Sequence, residues 1–148
     1  MIQKNFHITN SEGFDYVLQN IATSREYKRA KTVFLLIRSV GFSRDEVTQS
    51  AQKIAENLPK AKVLGMPNIT FDAEANRDES QHYAHIACTF YMDSEVNILY
   101  FPTSLDFSNL GKKIGEGLQE IENLKGVGIF FAGRGSQLEE FLKYATQG

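Results

Sequence analysis

The period of the hydrophobic positions changes several times along this chain, and each change marks an element. Val33 to Ile37 is an unbroken apolar run of strand length, β-branched at both ends. Such a run suits a strand covered on both faces, as in a parallel sheet. From Ser43 the period becomes helical: Val47, Ala51, Ile54, Ala55 and Leu58 recur on one stripe until Pro59 stops it. Ser43 and Glu46 have the spacing of a capping box. Val63 to Met66 is a second apolar run, closed by Pro67. Strand, helix and strand in that order predict a βαβ unit with a right-handed crossover.

The flanking segments read less sharply. Residues 1–9 look like a short polar lead-in. Thr9 and Glu12 have capping-box spacing, and Phe14, Val17, Leu18 and Ile21 predict a helix over 11–23. Arg25, Lys28, Arg29 and Lys31 follow it; a solvated linker complementing the helix dipole is favoured over an anion patch. Ile69 to Gln81 reads as an exposed acidic loop. Tyr83–Met92 and Val96–Phe101, joined by Asp93-Ser94-Glu95, predict an antiparallel hairpin. Ala84, Ile86, Cys88, Phe90 and Met92 share its core face; Tyr83, His85, Ala87, Thr89 and Tyr91 are left for a ligand, a partner or water. Ser108 is read as capping a helix with Leu110, Ile114, Leu118 and Ile121, whose interleaved Gly111, Gly115 and Gly117 point to close backbone approach. Val127 to Ala132 predicts a last strand, and Ser136 with Glu139 caps a final helix. The expectation is an α/β, single-domain layered fold over 1–148: a mixed sheet with a βαβ unit, an antiparallel hairpin and helices packed on the sheet.

Composition narrows the classes of partner. At 148 residues and 42% hydrophobic, the chain can bury a core without staples. A net charge of −2 gives no general attraction to nucleic acid or to an acidic membrane surface. The single cysteine, Cys88, allows no internal disulfide and fits a reducing compartment. No apolar run reaches the roughly 18 residues of a membrane span, and the N-terminus lacks a signal core. Cytoplasmic is the expected location.

Candidate chemistry gathers at strand ends. In open parallel sheets, ligands bind beyond the C-terminal ends of the strands. Those ends are 39–43, 65–68 and 133–136, so Ser39, Phe42, Ser43, Met66, Asn68, Arg134, Gly135 and Ser136 are the candidate ligand-binding residues. Two helix N-termini and one arginine, beside the apolar Phe42 and Met66, favour a small anionic or amino-acid-like ligand. The GRGS turn at 133–136 matches neither the P-loop nor the dinucleotide fingerprint. His82, His85 and Cys88 stand three apart, a spacing that sends neighbours to opposite faces of a strand, so no metal is expected there. No nucleophile–base pair stands out. Binding is therefore favoured over an enzyme of phosphate or acyl chemistry, with a protein-interaction scaffold as a third reading.

The run VFLLIRSVGFSRDEVTQSAQKIAENLPKAKVLGMPN, followed later by IACTFYMDSEVNILYF, resembles the N-terminal half of FIST domains, bacterial sensory modules. The resemblance covers Thr32 to Phe101 and continues more weakly through KGVGIFFAGRGSQLEEFLKYA. After Gly65 the family tends to have cysteine or serine, then serine-threonine and glycine; here stand Met66, Pro67, Asn68 and Ile69, so ligand identity does not carry over. The resemblance implies the first part of a longer protein. It implies a signal-input domain that regulates an output domain such as a diguanylate cyclase or a histidine kinase, and it is compatible with a homodimer. Some relatives bind haem through a histidine. Neither His82 nor His85 matches that ligand, and no cofactor is assigned.

Overall fold

The structure, a computed structural model, describes residues 1–66, 82–99 and 107–130. The chain divides into two compact units, Met1–Ile98 and Leu99–Gly148. In the first unit the order is β1 (Ile2–Ile8), α1 (Glu12–Ala22), α2 (Arg25–Arg29), β2 (Thr32–Val40), α3 (Arg44–Asn57), β3 (Ala61–Met66) and β4 (Tyr83–Tyr91). The strands form one mixed sheet in the order β1-β4-β2-β3.

The expected βαβ unit is there. β2 pairs parallel with β3, Val33 opposite Ala61 through Arg38 opposite Met66, and α3 makes the crossover. Ser43 closes the capping box: its Oγ accepts from the Glu46 amide, and Glu46 Oε2 accepts from the Ser43 amide, both at 3.1 Å. Gly41, at φ 88°, turns the chain out of β2 in a conformation that disfavours any residue with a Cβ. Gly65 lets α3 settle on β3, since a Cβ there would lie 3.2 Å from Val47 Cγ1.

β4 is a strand as expected, but it is no hairpin. One of its edges pairs antiparallel with β2, Thr32 opposite Tyr91 through Val40 opposite Tyr83. The other pairs antiparallel with β1, Ile2 opposite Phe90 through Ile8 opposite Ala84. A strand has two edges, so none is left for residues 96–99, which are irregular. The presumed polar lead-in is thus a sheet strand. Residues 25–29, read as a linker, form the short helix α2, capped by Ser24 Oγ accepting from the Tyr27 amide at 3.1 Å. α1 starts without the expected box; instead Asn10 Oδ1 accepts from the Gly13 amide at 3.0 Å.

The core lies on one face of the sheet. Val33, Leu35 and Ile37 of β2 and Ala84, Ile86, Cys88 and Phe90 of β4 are fully buried there, with Val17 and Ile21 of α1 and Val47 and Ile54 of α3 in the same cluster. Burial pushes the Cys88 thiol up to about 12, so at neutral pH it is a small apolar filler. Alternation sends Gln3, Asn5 and His7, then Tyr83, His85, Ala87, Thr89 and Tyr91, then Phe34, Leu36 and Arg38 to the opposite face. Those side chains are half-buried or exposed.

In the second unit, α4 spans Phe107–Gln119, with Leu110, Gly111 and Gly115 buried. Ser108 lies inside the helix and does not precede it, and Ile121 falls beyond its end. Residues 127–130, expected to be a strand, are irregular and exposed. An apolar alternation becomes a strand only when a neighbour completes its ladder, and none does among the described residues. The final helix and the loop at 69–81 lie outside the described residues. No helix among the described residues is long and apolar enough to cross a membrane.

Candidate functional site

The sheet brings the C-terminal ends of β1, β2 and β3 and the N-terminal end of β4 to the same edge. Near that edge, on the face away from α1 and α3, one cross-strand row reads His7, His85, Arg38: His7 is opposite His85 and His85 is opposite Arg38. Directly opposed residues on antiparallel strands have Cβ atoms about 4.5–5.5 Å apart, close enough for these side chains to act together. Tyr83, two residues before His85, stacks on His7 with ring centroids 5.8 Å apart and planes at 26°. Arg38 Nη2 is 3.4 Å from His85 Nδ1.

The electrostatics follow from those neighbours. Partial burial chiefly, then the electrostatic effects of Arg38 and of His7, hold the His85 pKa below the ordinary histidine value. A guanidinium only donates, so Nδ1 accepts from Arg38 and neutral His85 carries its proton on Nε2. The row therefore offers a permanent cation, two imidazoles and a phenol, with no carboxylate among the residues that form it. Such a set can hold a small anion by charge-assisted hydrogen bonds.

The residues picked from sequence fare differently. Ser39 is not a turn residue: it lies in β2 on the core face, wholly buried, and its Oγ has no hydrogen-bond partner among the described residues. Phe42 is a core side chain, edge-on to Phe14 at 5.5 Å and to His82 at 5.8 Å. Ser43 is occupied by its cap, and Asp45 and Glu46 put two carboxylates in the first turn of α3. That helix start repels the anion that was expected to approach it. Met66 ends β3 opposite Arg38, at the edge of the row. Asn68, Arg134, Gly135 and Ser136 lie outside the described residues.

A shallow hollow of about 250 Å³ sits at the same edge, lined by Thr9, Asn10, Ser11, Phe42, Glu46 and His82. Its mouth mixes donors with the Glu46 carboxylate and shares only Phe42 with the expected crevice. As the spacing required, His85 and Cys88 face opposite ways, and His82 stands before the strand against Phe42. Among the described residues no cluster of three or more metal-ligating side chains forms.

Sequence reasoning placed His85 on a free face but gave it no partners. Nothing in the sequence marks residues 1–9 as a strand that would carry His7, and Arg38 ends an apolar run without a motif around it. One signal was available for Arg38: alternation after Ile37 turns it away from the core. No protein-family model matches the chain, and none of the curated proteins matches it.

Proposed function

We propose that this chain is a binding module that captures a small carboxylate or phosphate on the open face of its sheet. One observation carries the reading: Arg38, His85 and His7 stand side by side in a single cross-strand row. Arg38 supplies a fixed charge and a planar fork of donors, the imidazoles and Tyr83 add directional ones, and the half-exposed Phe34 and Leu36 on the same face accommodate an apolar body. The resemblance to FIST domains adds a purpose for such binding: a sensory input passed to an output domain. The location that suits this role is cytoplasmic.

Calorimetry with acetate and inorganic phosphate, and acetamide as the neutral control, tests the binding. The anions bind and acetamide does not. Arg38→Ala loses a charge-assisted contact worth about 1.5–3 kcal/mol, roughly a ten- to hundredfold drop in affinity. Equal affinities in the two proteins would move the site elsewhere.

A further inference from the structure

We propose that an anion binds the His7–His85–Arg38 row together with a proton, which lands on His85 Nδ1 and releases Arg38 to the ligand. This rests on the anion-site reading above and adds its regulation. Arg38 Nη2 and His85 Nδ1 are 3.4 Å apart, a long contact in which Nδ1 must be the acceptor. A proton on Nδ1 ends that contact, because the ring then has only donors. Arg38 swings free, and both groups point their hydrogens at whatever anion lies between them.

The surroundings favour the neutral ring until an anion arrives. Among the described residues, the groups facing His85 are His7 from β1, Arg38 from β2 and Tyr83 on its own strand; Lys62 of β3 shares the face but stands opposite Phe34. None is an acid at neutral pH. Burial first, then Arg38 and then His7 depress protonation of the ring. A bound anion reverses the electrostatic part of that balance, attracting the proton that Arg38 and His7 repel.

The sign follows by linkage. The free ring titrates below the usual value and the ligated ring above the free one, so between the two the complex holds a proton that the free domain lacks. Binding then takes up a proton, and affinity rises as pH falls through that window, by at most about tenfold per pH unit for one proton.

Sulfate is the probe, since it stays doubly charged throughout the range. Calorimetry between about pH 5.5 and 7.5 in buffers of different ionisation heat reads proton uptake directly. The expected result is a measurable uptake of up to one proton per sulfate and tighter binding at the acid end. His85→Asn should still bind sulfate through Arg38 but take up almost no proton. Uptake that survives His85→Asn and disappears in His7→Asn would overturn the assignment. Sulfate binding with no uptake and no pH dependence would overturn the proton coupling while leaving the anion site standing. No sulfate binding at any pH would overturn both.

Discussion

Ser39 shows how a residue's role depends on a single step of alternation. Counted as the first residue past an apolar run, it looks like a turn serine at a ligand crevice. The strand continues to Val40, so Ser39 falls in the same alternation as Val33, Leu35 and Ile37, inside the core. A buried hydroxyl without a partner costs roughly 1–3 kcal/mol. Ser39→Ala is therefore expected to raise stability by about 1 kcal/mol and leave anion affinity unchanged; chemical denaturation measures the first effect. A drop in stability would mean that the hydroxyl has a partner after all. Gly13 makes the opposite case. Helix propensity alone favours alanine there, but a Cβ would lie 2.6 Å from Ile8 Cβ where α1 meets β1. Gly13→Ala should destabilise by about 1–3 kcal/mol through overpacking, and a gain in thermal midpoint would show that the contact relaxes freely.

Among the elements, those whose signals are local were the legible ones. The run from Val33, the box at Ser43 and the stop at Pro59 are each decided within a few residues, and β2, α3 and β3 follow them closely. Ser43→Ala should cost about 0.5–2 kcal/mol as a lost cap and leave anion affinity untouched. An affinity loss in that variant would return the ligand to the α3 N-terminus. β1 was illegible because Lys4 interrupts its apolar alternation of Ile2, Phe6 and Ile8. The structure accommodates Lys4 at the sheet edge by an ion pair with Glu26 at 3.1 Å. β4 was read correctly as a strand and wrongly paired, since proximity along the chain favours a hairpin when nothing reveals two distant partners. Those partners, β1 and β2, hold both edges.

For the molecule as a whole, the α/β class and the parallel pair were readable, whereas the site was not. Its residues stand at positions 7, 38 and 85, and only the register of the strands puts them in one row. No local pattern encodes that register. Half of the expected crevice, Asn68 and the 134–136 turn, lies outside the described residues; of the rest, Ser39 and Phe42 are packed in the core and Ser43 is engaged in its cap. The central claim is that the anion sits on the open sheet face near the C-terminal end of β2. A chemical-shift footprint of acetate on isotope-labelled protein, read at backbone amides and histidine rings, tests this most directly. The largest changes are expected at His7, Arg38, Tyr83 and His85, with residues 43–46 nearly unmoved. A footprint centred on Ser43 to Glu46, with the two imidazoles silent, would contradict it.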